Sequence, residues 1–300
     1  MRMLAKNAFF EAYKIGHNVV QIKGRGGEQC YLLESADKTI LIDGLVGVGS
    51  LKEFVSELTD KPVELVLTHG HLDHTGAAWE YRRCWIHPDD IPLMYAKQHS
   101  DMQKRLDFAR QSSPLAVMPC GNLSLDDVIP PGPVVTYPLY NGDVIRFGDE
   151  ELEVIGVPGH TFGTLVFLYR KERMLFSGDA CNINTLLGLS GSTSIEQYLK
   201  SLHHLRTFSD AYDLMYGGHG PGGVDKRIVD DAIAMCERIL QRTDEKVPAV
   251  SFEGRAVLYG SSRNPDYTPV CGGLANIQYS ENELFEDQVR KYQPEDGIVF

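Results

Sequence analysis

Side chains of the types that bind metal ions are concentrated at residues 69–74, where the sequence reads His-Gly-His-Leu-Asp-His. Neutral imidazoles and carboxylates are good ligands for divalent first-row metals. His69 and His71 are separated by one glycine, so both can turn towards one ion from an extended backbone. Asp73 and His74 follow a bend and can serve a second ion nearby. A histidine-rich surface loop rarely matches this spacing by chance, so the pattern predicts a metal site.

An apolar run with strand character, residues 63–67, directly precedes this group. The group therefore lies where a buried strand ends in a loop, the usual place for a site held by a rigid scaffold. Residues 68–74, Thr-His-Gly-His-Leu-Asp-His, resemble the metal-binding motif of the metallo-β-lactamase-fold hydrolases. The resemblance implies an α/β (α+β) fold, built as a four-layer αββα sandwich. It also implies three further ligands, each at the end of a later strand.

Three later positions match that implication. His160 follows an apolar strand on a glycine turn, Asp179 follows a strand and a glycine, and His219 follows two glycines. By resemblance, Asp179 is the carboxylate shared by two ions. The remaining ligands divide into His69, His71 and His160 for the first ion, and Asp73, His74 and His219 for the second.

Two metal ions at such a site stand about 3.5–4 Å apart and bridge a water whose pKa falls towards neutrality. The chain is thus expected to be a dinuclear hydrolase of the glyoxalase II or lactonase-like branch. The bridging hydroxide would cleave a small ester, thioester or lactone. Asp73 and Asp179 are the candidate catalytic residues, and Asp73 or a pocket tyrosine would protonate the leaving group. Zinc is the default metal, and iron or manganese fit the same ligands.

Two other functions of the same fold stay open. An iron-dependent oxidoreductase similar to persulfide dioxygenases would use a single iron. A non-catalytic metal-binding member is the second alternative, although a scaffold kept only for binding has no physical need of all seven ligands. The flavodiiron branch is disfavoured, because that branch has a glutamate where Gly70 stands here.

The chain length and the hydrophobic content of 43% favour one large domain spanning residues 1–300. A net charge of −12 repels phosphate backbones, so we expect a small-molecule substrate and no nucleic-acid partner. No run approaches the length of a membrane span, so we expect no membrane partner. The six cysteines have no paired spacing, which favours reduced thiols and a cytoplasmic location.

Three parts of the chain are expected. The resemblance covers a core of about residues 16–225, interrupted by a helical and then proline-rich insertion at about 88–138. We interpret the insertion as a lid, and an external hairpin or a subunit contact is the alternative. The residues expected to wall the substrate pocket are Met94, Tyr95, Met102 and Phe108. The segment 247–300 is predicted to contain short strands, unlike the helical glutathione-binding domain of glyoxalase II, and either added segment could form a homodimer.

Several residues near the ligands have predicted supporting or structural roles. By resemblance, Asp43 supports the metal loop from outside the ligand shell, and an ordinary turn cap is the alternative. His87 and Cys181 are interpreted as structural residues. The polar run 182–185 either binds substrate or satisfies its own turn.

Overall fold

The computed structural model of the protein describes residues 1–110 and 122–293. Its strands are β1 (Arg2–Lys6), β2 (Glu11–Lys14), β3 (Val19–Lys23), β4 (Gln29–Glu34), β5 (Thr39–Ile42), β6 (Val63–Val66), β7 (Arg83–Ile86), β8 (Val135–Pro138), β9 (Val144–Phe147), β10 (Glu150–Gly156), β11 (Leu165–Tyr169), β12 (Met174–Gly178), β13 (Asn184–Leu186), β14 (Leu214–Gly217), β15 (Val224–Asp225), β16 (Val247–Val250), β17 (Ala256–Tyr259) and β18 (Asn276–Tyr279). The helices are α1 (Leu51–Ser56), α2 (Leu72–Thr75), α3 (Ala78–Tyr81), α4 (Ile91–Met94), α5 (Lys97–Ser100), α6 (Met102–Arg110), α7 (Ile195–Arg206) and α8 (Ile228–Leu240).

The first sheet contains β1 to β8 in chain order. Neighbouring strands from β1 to β5 are antiparallel, which confirms the predicted meander, and those from β5 to β8 are parallel. The turn between β3 and β4 contains Gly27 with a φ of 90°, a conformation that glycine adopts without a steric penalty. The sequence did not predict β1 and β2, which extend the sheet ahead of the expected core.

The second sheet has the order β15-β14-β12-β11-β10-β9, and it packs face to face against the first. Apolar residues from both sheets fill the space between them, among them Ile42, Val66, Phe167 and Phe176. Helix α1 covers the outer face of the first sheet, while α7 and α8 cover the outer face of the second. These layers confirm the αββα sandwich.

Helix α7 shows why the sequence forms these outer layers. The Ser194 side chain accepts a hydrogen bond from the backbone N–H of Gln197 and caps the helix. Tyr198, Leu202 and Leu205 recur at helical spacing and are fully buried against the sheet. Burying each such side chain contributes about 1.5–3 kcal/mol. None of the helices in the described residues has both the length and the apolar character needed to cross a bilayer.

The C-terminal segment contributes three of the four strands of a third, smaller sheet with the order β13-β18-β17-β16. The predicted short strands of this segment are therefore present. Strand β18 pairs in parallel with β13, which belongs to the core sequence. The segment is thus joined to the core through backbone hydrogen bonds and not only through side-chain packing.

The insertion begins as predicted with short helices, α4 to α6, and part of its proline-rich half, residues 111–121, lies outside the described residues. The last residues of the predicted insertion belong to the first sheet. Residues 135–138 form β8, which pairs in parallel with β7 at the edge of the first sheet. The strand is only four residues long and ends in Pro138 within a proline-rich stretch, so the sequence pattern did not predict it.

Helix α6 is fixed to the core by Arg105, a fully buried arginine. Its guanidinium donates hydrogen bonds to the carbonyl oxygens of Val46 (2.7 Å), Ile129 (2.7 Å) and Gly47 (3.1 Å). The guanidinium carbon also lies 4.2 Å from the ring centroid of Trp79. The charge is therefore stabilised mainly by three carbonyl dipoles and an aromatic face, with a further contribution from the Glu80 carboxylate.

We predict that Arg105→Met destabilises the protein by about 2–4 kcal/mol, because the carbonyls of Val46 and Ile129 lose this donor and that of Gly47 keeps only the Ile129 N–H. Urea unfolding followed by circular dichroism measures the change. Lys104→Met, one position earlier on the same helix at an exposed site, is the control and should stay within about 0.5 kcal/mol of wild type. Equal stability of the two variants would contradict the anchoring role of Arg105.

Candidate metal centre

The structure places all seven predicted ligands at the ends of strands from both sheets. His69 and His71 follow β6, Asp73 and His74 lie in the short helix α2, and His160 follows β10. Asp179 follows β12, and His219 follows β14. The seven side chains form two groups, and the possible ligand atoms within each group lie within 4.8 Å of one another. The groups are His69, His71 and His160, and Asp73, His74, Asp179 and His219.

The first group consists of three buried imidazoles. His71 Nδ1 lies 2.8 Å from His160 Nε2. Burial, together with the neighbouring histidines, lowers the pKa of His69 and His71 well below the ordinary histidine value. The rings are therefore neutral, and each offers a nitrogen lone pair to a shared ion.

The second group places carboxylates beside histidines. His219 Nε2 lies 2.9 Å from Asp73 Oδ2, and His74 Nε2 lies 3.7 Å from the same oxygen. Burial disfavours the charged forms of both rings, but Asp179 and Asp73 raise the pKa of His219 to about 9. Nearby carboxylates also raise the pKa of His74 well above its ordinary value. Without a metal, protons on these two histidines balance the carboxylate charges, and an entering ion would displace the protons.

Asp179 connects the two groups. Its Oδ2 lies 3.7 Å from His160 Nε2, 3.7 Å from His74 Nε2 and 3.6 Å from His219 Nε2. His160 belongs to the first group and the other two histidines to the second. One carboxylate oxygen thus faces the nitrogens of both groups, the position that a bridging ligand needs.

Buried polar atoms without partners test whether these residues fit metal ions. His69 Nε2 and His74 Nε2 are buried, have no hydrogen-bond partner and belong to side chains of the two groups. Unpaired buried polar atoms are rare in proteins, because their lost hydration is not replaced. A cation at each group would satisfy these nitrogens, and the imidazole and carboxylate set suits a divalent first-row metal. The residues therefore fit two divalent ions.

Asp43 orients ligands from outside the ligand shell. Its carboxylate accepts hydrogen bonds from the Thr68 backbone N–H (2.8 Å) and hydroxyl (2.8 Å), and from His74 Nδ1 (2.8 Å). Thr68 Oγ1 in turn lies 3.0 Å from His69 Nδ1. The carboxylate thereby turns the Nε2 atoms of both histidines towards the site, the supporting role that the resemblance implied.

Outer partners also fix His160 and Asp179. His160 Nδ1 donates to the Leu186 carbonyl in β13 at 2.6 Å, so the third sheet helps to orient a ligand of the core. Asn182 Nδ2 donates to Asp179 Oδ1 at 2.9 Å, which leaves Oδ2 facing the histidines. Thr185 caps the turn of this polar run by accepting from the Asn182 N–H. Asn182 therefore positions a ligand, whereas Thr185 satisfies its own turn.

The sequence did not reveal the role of Asp90, a fully buried acid that joins two ligand loops. Asp90 Oδ2 accepts hydrogen bonds from the Gly70 N–H (2.8 Å) and the Thr161 hydroxyl (2.7 Å), and Oδ1 accepts from the Gly163 N–H (2.8 Å). Burial raises the pKa of Asp90 to about 6, although these donors favour the carboxylate. No local pattern distinguishes it from Asp89, which lies on the surface and pairs with Lys291.

The loop that carries His219 is held against β4. The Gln29 N–H donates to the Gly218 carbonyl at 2.7 Å, and Gln29 Nε2 donates to the Gly220 carbonyl at 2.6 Å. A Cβ atom at Gly218 would overlap the His74 ring and Asp179. The glycine is therefore required for the loop to approach the second group.

The remaining candidates lie outside the two groups. His87 accepts a hydrogen bond from the Asp89 N–H at 3.2 Å and caps a 3₁₀ turn, which confirms its structural interpretation. Cys181 Sγ lies 3.9 Å from the Ile228 carbonyl, on the side of α8. The five cysteines within the described residues are unpaired, and Cys120 lies outside those residues.

A cavity of about 1390 Å³ opens onto both groups. The insertion contributes Gln98, His99 and Phe108 to its wall, and the Phe108 ring centroid lies 6.3 Å from that of His219. Of the four residues expected to wall the pocket, the structure places Phe108 there. The wall formed by the C-terminal segment includes Phe252, Glu253, Arg255, Tyr267, Lys291 and Tyr292.

A sequence model of the Metallo-beta-lactamase superfamily matches residues 24–219. Human acyl-coenzyme A thioesterase MBLAC2 is 24% identical over 188 residues, 58% of this chain and 66% of that protein. Hydroxyacylglutathione hydrolase GloC of Haemophilus influenzae is 26% identical over 158 residues, 51% of this chain and 66% of that protein. The matches thus span just under two thirds of each of these relatives.

Among solved structures, the crystal structure of the DIM-1 metallo-beta-lactamase superimposes with a TM-score of 0.55. It is 16% identical, and the superposition covers 78% of this chain and 100% of that one. At this identity the similarity demonstrates a shared fold and nothing about substrates.

We predict that Asp90→Asn lowers the free energy of unfolding of the metal-free protein by about 1–3 kcal/mol. The amide replaces one acceptor oxygen with a donor, so a buried donor of one ligand loop loses its partner. Asp89→Asn is the matched control, because a surface ion pair contributes only about 0–1 kcal/mol. Denaturant unfolding of both variants is the measurement, and indistinguishable midpoints would show that Asp90 does not hold the two loops together.

Proposed function

The chain belongs to the metallo-beta-lactamase superfamily, and from that premise we propose that it is a dinuclear metal-dependent hydrolase of acyl thioesters. The observation that carries the proposal is the position of Asp179, whose Oδ2 lies 3.6–3.7 Å from histidine nitrogens of both groups. A centre with a single ion would not need a carboxylate between two sets of ligands. This geometry therefore supports two ions and hydrolysis.

Two observations favour a thioester over a small ester or lactone. The relatives include an acyl-coenzyme A thioesterase and a hydroxyacylglutathione hydrolase, and both names denote acyl groups on thiol carriers. The cavity volume of about 1390 Å³ also exceeds the roughly 300–1,000 Å³ typical of small-ligand sites. A cavity of this size suits an acyl group together with part of an extended carrier. Ester hydrolysis remains the second candidate, because the same centre attacks either carbonyl.

We propose zinc as the metal, because five histidines and two aspartates form a set that zinc accepts readily, although iron or manganese fit as well. Ions held there would lower the pKa of a bound water towards neutrality and polarise the substrate carbonyl. His69, His71 and His160 would hold one ion, Asp73, His74 and His219 the other, and Asp179 both.

Asp73 and Asp179 are the proposed catalytic residues, for different reasons. The side chain of Asp73 is 13% exposed, accepts a hydrogen bond from His219 and lines the cavity. It is therefore placed to take the proton that the attacking water loses. A thiol has a pKa of about 8.5, so the thiolate leaves when the carbon–sulfur bond breaks and needs little help from an acid. Asp179 contributes through its position between the two groups.

The iron oxidoreductase alternative predicts a different use of these residues. One iron on the three histidines of the first group would leave the second group and the Asp179 bridge without a chemical role. A non-catalytic member would have no use for the cavity that opens onto both groups. Both alternatives therefore explain less of the arrangement than the dinuclear hydrolase does.

The insertion and the C-terminal segment beside the metal centre suggest how substrate and partners bind. We propose that the insertion acts as a lid over the substrate, because Phe108 and its neighbours line the cavity. We still predict a small or carrier-linked substrate and no nucleic-acid binding. We also still predict a homodimer formed through the insertion or the C-terminal segment. A cytoplasmic location is proposed on the unpaired cysteines.

The proposal is tested with a panel of acyl-coenzyme A thioesters and matching aryl esters, with released thiol or phenol followed by absorbance. We predict thioester hydrolysis that is lost on dialysis against a chelator and restored by zinc. Asp179→Asn should lower kcat/KM by at least about 100-fold and reduce the zinc content below two ions per chain. Asp60→Asn, an exposed aspartate outside the site, should match wild type.

Two results would contradict the proposal. The first is an Asp179→Asn variant that retains both zinc and rate. The second is a wild-type protein that carries one tightly bound iron and cleaves none of the substrates.

A further inference from the structure

His71 is oriented differently from the neighbouring histidine ligands. In His69, His74 and His160 a protein atom engages Nδ1, at distances of 3.0, 2.8 and 2.6 Å. Those rings therefore present Nε2 to the site. In His71 it is Nδ1 that faces the first group, 2.8 Å from His160 Nε2. His71 would thus bind an ion through Nδ1, and its Nε2 would carry the proton.

The outward nitrogen of His71 has no protein partner. His71 Nε2 is buried and makes no hydrogen bond, and the residue is only 3% exposed. Histidines that bind metals almost always donate their other N–H to an acceptor, which fixes the ring and strengthens the ligand. A missing acceptor at this one ligand therefore requires an explanation.

His99 of helix α5 lacks a donor for one ring nitrogen, just as His71 lacks an acceptor. It is 1% exposed, lines the cavity, and its ring centroid lies 5.2 Å from that of His71. His99 Nδ1 lies 2.8 Å from the Leu93 carbonyl, which can only accept, so Nδ1 carries the proton. In the neutral ring Nε2 is then an acceptor; it is buried and makes no hydrogen bond, and the Gly70 carbonyl near the ring has no proton to give it.

We propose that His99 is a positioning residue of the metal centre, whose Nε2 accepts a hydrogen bond from His71 Nε2–H in the metal-loaded protein. The ring separation of 5.2 Å leaves room for a nitrogen–nitrogen distance of about 3 Å after a small rotation of either ring. This inference rests on the metal centre of the proposed function. It goes further by giving the insertion a part in holding the first ion.

Such a bond would link the insertion to the metal centre. Helix α5 follows α4 by two residues, and the Leu93 carbonyl that orients His99 belongs to α4. The contacts would then run from the Leu93 carbonyl to His99, from His99 to His71, and from His71 to the ion. Loss of the acceptor would loosen the first ion without removing any of its ligands.

The test compares His99→Phe, which keeps a ring but removes the acceptor, with His99→Gln, whose side-chain oxygen can replace Nε2. His204→Phe, at an exposed position on α7, is the matched control. Zinc affinity is measured by competition with a chromophoric chelator. We expect about 10–100-fold weaker zinc binding in His99→Phe, near-normal binding in His99→Gln and no change in the control.

A second readout follows the His71 N–H itself. In protein loaded with Co²⁺, the exchangeable proton of a ligand imidazole gives a shifted NMR signal. We expect slow exchange of the His71 N–H with solvent in wild type and His99→Gln, and fast exchange in His99→Phe. This readout does not depend on catalytic activity, and the wild-type spectrum is informative even if His99→Phe fails to fold.

Three outcomes would overturn the inference. Equal zinc affinity of His99→Phe and wild type would show that the contact contributes nothing. Equal loss in the Phe and Gln variants would indicate packing only, as would fast exchange of the His71 N–H in wild type. In each of these the wild type binds zinc, so the proposed function stands. A wild type that binds no zinc would overturn both.

Discussion

The structure depends on one electrostatic constraint: nitrogen lone pairs and carboxylates converge at one buried site. His71 Nδ1 and His160 Nε2 approach to 2.8 Å, and three carboxylates surround His74. The converging nitrogen lone pairs need a proton or a cation between them, and the buried carboxylates need positive charge. Divalent ions satisfy both requirements at once. The layers, loops and outer hydrogen bonds of the protein can be understood as the means of holding this arrangement in place.

Two sheets supply the ligands, and buried acids outside the ligand shell connect them. Asp43 fixes the loop after β6, and Asp90 ties that loop to the one carrying His160. The third sheet reaches the same site through the Leu186 carbonyl, and the insertion reaches it through His99 and Phe108. The two segments that enlarge the core are therefore also the segments that shape the cavity. We infer that they determine which substrate reaches the two groups of candidate ligands.

The layers are those that the sequence predicted, and the seven candidate ligands lie together, because both depend on local patterns. Strand-end histidines on glycine turns and alternating apolar residues can be recognised within a few positions. Asp90 could not be recognised, since its role depends on three donors that come from Gly70, Thr161 and Gly163, far apart in the chain. The partnership of β13 with β18 and the edge strand β8 were hidden for the same reason. Roles that depend on long-range pairing leave little trace in a local pattern.

Anomalous diffraction from crystals of the zinc-loaded protein would show whether two ions share Asp179. Data collected on both sides of the zinc absorption edge locate each ion without reference to activity. We expect two anomalous peaks per chain, about 3.5–4 Å apart, with the Asp179 carboxylate between them. A single peak among His69, His71 and His160, with Asp179 turned away, would contradict it.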